Sequence, residues 1–266
     1  DLEDIRHSFR LFMEKLSAGG HLVIQGDIAG LDELTNGLSA DITTYGLEGS
    51  GKTYDYYAAN ITYDTNDCGS YDLMHGETLI ARISLQVIGA HNISNSVAAA
   101  AMANLLGVPV PAIVSALHNF IGAKRRFEKK GLKNGVTIVD DYAHHPSEIR
   151  ATLTAAKHYP HKTLWCVFQP HTFSRTKIFF DDFVDVLSLA DKVVLADIYA
   201  SREQDPGDIS SRDLAEKLQN AGKEVYYLPS FDEIEKFLLS NCTEGDLLIT
   251  MGAGDIANVG EAILKH

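Results

Sequence analysis

From Val136 onward the chain repeats one pattern: a short apolar run, then a longer amphipathic one. The apolar runs are VTIVD (136–140), TLWCVF (163–168), KVVLA (192–196), EVYYL (224–228) and DLLIT (246–250). Helical patterns lie between them at 147–157, 176–189, 210–220 and 230–239, and a last one runs from about 255 to the end. Parallel neighbouring strands cannot be joined by a tight turn, and a helix supplies the crossover they need. Five strand–helix units in succession therefore predict an α/β domain with a doubly wound, mainly parallel sheet of the Rossmann type.

Such a sheet binds ligands beyond the carboxyl ends of its strands. That rule sorts the polar residues. The first strand runs into DDYAHHPSE (140–148), the second into QPHTFSR (169–175), the third into DIYASRE (197–203) and the fifth into MGAGD (251–255). Histidines, arginines, tyrosines and carboxylates gather at one edge, while the opposite connections, HYPHK and NAGKE, are generic.

Residues before 124 mix types. A helix is expected over Asp4–Leu16, with Ile5, Phe9, Phe12 and Leu16 on one face. A short strand follows at His21–Gln25, then a β-rich stretch over 42–88 whose clearest alternation is Glu77–Val87. GAHNISNSVAAAAMANLLGVP reads as a helix stopped at Gly107, and Pro111–Phe120 as another. The charged segment IGAKRRFEKKG (121–131) has no clear period and is expected to be a hinge.

Within the β-rich stretch, residues 46–53 spell GLEGSGKT, which fits the phosphate-binding loop G-x-x-x-x-G-K-[ST] letter for letter. That loop works only when a helix leaves it and aims N–H groups at phosphate. Here Tyr-, Thr- and Asn-rich strand and turn residues follow. The match is read as an exposed turn, with Gly49 and Gly51 supplying backbone freedom.

The edge residues each allow two readings. His91 and Asn95, four apart at a helix start, share a face that can address an adenine edge, or they belong to an N-terminal cap. Asp140, Asp141, Tyr142, His144 and His145 could hold a ribose, a metal or an amine, with one aspartate organising the loop. An arginine such as Arg175, beside His171, suits a carboxylate or phosphate, or a surface ion pair; Arg125 and Arg126 have the same two readings. Gly252 and Gly254 offer half a dinucleotide fingerprint, but Asp255 would set negative charge where pyrophosphate should sit, so a tight turn is preferred.

Composition excludes some classes. A formal net charge of −13 over 266 residues disfavours nucleic acid. No apolar run is long enough to span a bilayer. The three cysteines, Cys68, Cys166 and Cys242, form no zinc or C-x-x-C spacing, and their odd count points to a reducing compartment, the cytoplasm.

GAHNISNSVAAAA, FIGAKRRFE, VDDYAHHPSEIRATL, FQPHTFSRT, DIYASRE and GAGDI stand here in the order seen in the Mur ligases. From about residue 80 onward, and more loosely before, the chain resembles that family, and most closely the branch that joins L-alanine to UDP-N-acetylmuramate. The resemblance implies a truncated central domain with a β-rich stretch over 1–123 and a Rossmann-like C-terminal domain over 124–266. It implies that the UDP-binding domain, the true phosphate-binding loop and the main magnesium ligands lie before Asp1. ATP would phosphorylate the substrate carboxylate, and the amine of L-alanine would displace the phosphate. By the same resemblance His91 and Asn95 would hold adenine, and Arg126, Asp141 and Tyr142 would serve ATP ribose and phosphates. His144, His171 and Arg175 would line the alanine and acyl-phosphate region. Many relatives carry Arg where this chain has Thr172. Two other readings stand beside this one: a non-catalytic fragment that binds nucleotide or amino acid, and a related Mur ligase with another substrate.

Overall fold

The computed structural model describes residues 2–266, and the chain divides into two compact units between Ile121 and Gly122. The first holds α1 (Leu2–Met13), β1 (His21–Gln25), α2 (Leu31–Thr35), β2 (Asp41–Leu47), β3 (Tyr56–Tyr63), β4 (Cys68–His75), β5 (Thr78–Ile88), α3 (Ala90–Leu105) and α4 (Val110–Asn119). Its sheet has the order β1-β2-β3-β4-β5; the first three strands are parallel and β3, β4 and β5 alternate in direction. Alternation along β4 turns Tyr71 and Leu73 inward, where they meet Ile83 and Leu85 of β5 and Ile93, Val97, Ala100 and Ala101 of α3. The alanines favour helix and keep α3 slim against the sheet. At Gly69 a Cβ would stand 2.5 Å from Ile93 Cδ1, so the side chain of α3 seats only because β4 has glycine there.

GLEGSGKT is a connection between β2 and β3, and Thr53 leads into a strand, not a helix. Gly49 and Gly51 adopt positive φ, 94° and 77°. The buried Tyr54 ring fills the space beside Gly26 and Gly46: a Cβ on either would fall 2.5 Å or 2.3 Å from it. Tyr54 donates to Asp27 Oδ1 at 2.6 Å, and Lys52 Nζ donates to the Gly26 carbonyl at 2.9 Å. The lysine ties down its own turn.

The second unit holds β6 (Glu128–Lys133), β7 (Val136–Asp141), α5 (Pro146–His158), β8 (Leu164–Phe168), α6 (Phe173–Ile178), α7 (Phe180–Leu187), β9 (Lys192–Leu195), α8 (Ser211–Asn220), β10 (Glu224–Tyr227), α9 (Phe231–Asn241), β11 (Leu247–Met251) and α10 (Ala257–Lys265). The sheet order is β10-β9-β8-β11-β7-β6, parallel except for the β6–β7 pair. Its two faces bury separate cores. Ile149, Leu153, Phe183, Val186, Leu214 and Leu218 of α5, α7 and α8 pack on one, and Ile234, Leu238, Val259 and Ile263 of α9 and α10 on the other. Burial of one such side chain is worth about 1.5–3 kcal/mol. The chain leaves β7, skips one place to β8, and later returns to insert β11 between them. The carboxyl ends of β7, β11 and β8 thus frame the crevice where winding reverses.

Two expectations are corrected. The segment 121–131, expected to be a hinge, contains the division between the units at its start, but its last four residues are strand: β6 pairs antiparallel with β7, with a bulge between Lys129 and Gly131. A lysine-rich sequence is what an edge strand carries, and it hides the period-two pattern. The helix expected over 176–189 is two helices, broken at Phe179 (φ −104°, ψ 25°). Phe179 turns its ring against His145, centroids 4.7 Å apart, and Asp181 and Asp182 favour a new helix start. Among the described residues no helix is long and apolar enough to cross a membrane.

Candidate functional site

At the carboxyl edge of the second sheet, two adjacent arginines do different jobs. Arg125 Nε donates to Asp140 Oδ2 at 2.9 Å, and its terminal nitrogens donate to the carbonyls of Gly252 (2.7 Å) and Gly254 (3.1 Å). Asp140 is 1% exposed and also accepts from Thr250 Oγ1 at 2.8 Å. One guanidinium therefore ties the end of β7 to the MGAGD turn after β11. Arg126 is exposed, and its nearest carboxylate is Glu148 Oε1 at 3.7 Å. Both guanidinium carbons lie near the exposed Tyr142 ring, 4.8 Å and 5.8 Å from its centroid.

Asp141 is buried, and its oxygens are occupied by Phe127 N–H (2.8 Å), Ala143 N–H (2.8 Å) and the Thr152 hydroxyl (3.2 Å). Burial pushes its carboxyl above the ordinary range even though these bonds oppose the shift. Arg125 and Phe127 both adopt left-handed backbone, φ 57° and 45°. The bonds from Phe127 to Asp141 and from Tyr142 N–H to the Arg125 carbonyl (2.7 Å) hold that turn. Asp141 thus shapes the loop that displays Arg126 and Tyr142.

The neighbouring histidines also separate. His145 is the N-cap of α5 and shares a capping box with Glu148. His144 reaches toward the crevice: its Nδ1 donates to the Tyr142 carbonyl at 3.0 Å, and its ring meets His171 edge-on, centroids 5.9 Å apart. Burial, helped by Arg175 and His144, pushes the His171 imidazole below its ordinary value. Arg175 donates to the His171 carbonyl (2.8 Å) and to its Nδ1 (3.1 Å) and makes no ion pair among the described residues. The structure thus brings His144, His171 and Arg175 together, with Tyr142 and Arg126 on the same edge.

His91 and Asn95 stand in the first unit, on the first turns of α3. With Gln25, Tyr45, Glu48 and Ser50 they line a cleft of about 530 Å³ at the ends of β1 and β2. Its lining includes the carboxylates of Asp27 and Glu48, and Lys52 Nζ lies 3.9 Å from Asp27 Oδ1. Burial raises the Tyr45 phenol above its ordinary value, so it stays neutral, with Ser94 as hydrogen-bond partner. Sequence reasoning passed over Tyr45, Ser94, Tyr199 and Glu203. Only the strand-end rule pointed at the last two. Among the described residues no group of three or more His, Cys, Asp and Glu side chains is placed to hold a metal.

Two family profiles match: Mur ligase middle domain over residues 1–103, and Mur ligase, glutamate ligase domain, over 125–254. The UDP-N-acetylmuramate–L-alanine ligase of Lachnoclostridium phytofermentans is 55% identical over 272 residues, covering 100% of this chain and 58% of that protein. That of Agathobacter rectalis is 53% identical over 265 residues, covering 100% and 57%. The chain therefore spans under three fifths of the length of these curated relatives. A crystal structure of the UDP-N-acetylmuramate–alanine ligase MurC of Thermotoga maritima superposes with TM-score 0.78 at 26% identity, over 100% of this chain and 55% of that one. A murein peptide ligase from Psychrobacter arcticus shares the fold, with TM-score 0.71 at 24% identity, over 99% and 54%.

Proposed function

This chain belongs to the Mur ligase family, whose middle and C-terminal domains it carries, and from that premise we propose that it is the adenine- and amino-acid-binding part of a cytoplasmic UDP-N-acetylmuramate–L-alanine ligase of peptidoglycan precursor synthesis. The observation that carries the reading is Arg175: a guanidinium with no carboxylate partner among the described residues, beside two imidazoles at the ligand edge of the sheet.

The substrate carboxylate is a poor electrophile until one oxygen bears a phosphoryl group. It attacks the γ-phosphorus of ATP, and ADP leaves. The alanine amine then attacks the acyl carbon, phosphate departs and the amide remains. Arg175 grips the alanine carboxylate through its planar fork. His171, kept neutral by burial with its Nδ1 accepting from Arg175, lines the alanine site without a base role. His144 lines the same region. Arg126 and Tyr142 meet nucleotide ribose and phosphates, and Asp141 acts through the loop it holds. His91 and Asn95 address adenine in the cleft of the first unit. These 266 residues match the middle and C-terminal domains and 58% of the Lachnoclostridium phytofermentans relative's length, and by themselves they are expected to bind ligand without turnover.

A chimera tests the reading: this chain replaces the matching 58% of the Lachnoclostridium phytofermentans ligase. The folded chimera is expected to release ADP only with both UDP-N-acetylmuramate and L-alanine present. Arg175→Ala raises the KM for alanine. A folded chimera that ignores L-alanine, or prefers another amino acid, contradicts the proposal.

A further inference from the structure

We propose that Glu203 is a positioning residue for the amino-acid end of the site: its carboxylate holds the segment from His171 to Arg175 so that both side chains face the crevice. The inference rests on reading that edge as the amino-acid site.

Glu203 lies on the connection after β9, distant in sequence from the segment it touches. Its oxygens accept from the Thr172 hydroxyl (2.5 Å), the Ser174 N–H (2.9 Å) and the Ser174 hydroxyl. Thr172 is the N-cap of α6 yet makes no side-chain cap bond of its own. The first amides of a helix need an acceptor, and here a residue from another loop provides it. These bonds hold the Glu203 carboxyl down to about 2.

The same clamp orients the working groups. Arg175 is bonded to His171 by two contacts, so fixing the first turn of α6 fixes both. Tyr199, from the Glu203 connection, stacks on the His171 ring with centroids 5.5 Å apart and planes 13° apart, and its N–H donates to the Pro170 carbonyl at 2.9 Å. Glu203 and Arg175 form no ion pair among the described residues. Glu203 instead spends its lone pairs on hydroxyls and an amide, and Arg175 keeps its charge for a substrate carboxylate.

The test compares wild type, Glu203→Ala, Glu203→Gln and Arg175→Ala in the whole chain, reading hydrogen exchange at the Ser174 amide, L-alanine affinity by NMR titration, and the urea midpoint. Glu203→Ala is expected to speed Ser174 exchange and weaken alanine binding, each by about ten-fold or more, with a modest drop in the urea midpoint. Glu203→Gln, which keeps one acceptor oxygen, recovers part of both. Arg175→Ala abolishes binding and leaves Ser174 exchange unchanged. Unchanged exchange in Glu203→Ala overturns the clamp, and faster exchange with unchanged alanine affinity overturns its positioning role. Wild type that fails to bind alanine refutes the amino-acid reading of the edge, while faster exchange in Glu203→Ala would still support the clamp.

Discussion

Arg125→Ala and Arg126→Ala, one residue apart, should differ sharply. The Arg125 side chain is 28% exposed and its partner Asp140 is 1% exposed. Removing one member of a buried ion pair costs about 3–5 kcal/mol, because the other charge stays buried and unpaired. Partial exposure of Arg125 lets water in and lowers that figure, and the Thr250 hydroxyl still serves Asp140. The carbonyls of Gly252 and Gly254 lose charged donors, which works the other way. The expected loss is about 3 kcal/mol, or roughly a hundred-fold in the unfolding equilibrium. Arg126, 52% exposed and 3.7 Å from Glu148, should cost under about 0.5 kcal/mol. Urea unfolding followed by the fluorescence of Trp165, the chain's one tryptophan, reports on the second unit directly. Asp140→Asn in the Arg125→Ala background should recover about 1–2 kcal/mol, as expected for coupled neighbours. A loss below about 1 kcal/mol for Arg125→Ala, or equal losses at both arginines, would refute the division of labour.

Asp141→Ala should cost about 2–4 kcal/mol by stranding two amides and a hydroxyl, with the urea midpoint as readout. Gly46→Ala should destabilise the first unit by about 1–3 kcal/mol, since its methyl would stand 2.3 Å from the Tyr54 ring; thermal melts check it. His171 holds its proton less tightly when folded, so the unfolded chain gains more as pH falls below the usual histidine value of 6.5. Stability should therefore drop between neutral pH and mildly acidic pH, and His171→Asn should flatten that slope. Glu203 adds a second loss, as pH falls from its ordinary 4.5 toward about 2.

The second sheet is legible because buried parallel strands leave near-continuous apolar runs and their helices leave amphipathic ones. β6 escapes because an edge strand defends itself with lysines, which erases the alternation. The break at Phe179 escapes because helical periodicity runs through it, while the ring contact with His145 lies far off in sequence. The site is legible as a place, through the strand-end rule, but not as roles. Arg125 and Arg126 are chemically identical in sequence, and only burial separates the brace from the exposed one. Glu203 acts across distant loops, so no local pattern betrays it. GLEGSGKT misleads the opposite way: the spelling is right, while the helix that gives the spelling its meaning is absent.

The central claim is a nucleotide site at the head of α3 and a look-alike loop that binds no phosphate. Calorimetric titration of ADP with magnesium into wild type, Lys52→Ala and Asn95→Ala tests it directly. The account predicts that Asn95→Ala weakens binding by about ten-fold or more, while Lys52→Ala, which loses an exposed bond to the Gly26 carbonyl and a long ion pair with Asp27, binds as wild type. Loss of binding in Lys52→Ala with Asn95→Ala unaffected would contradict it and make GLEGSGKT a working phosphate loop.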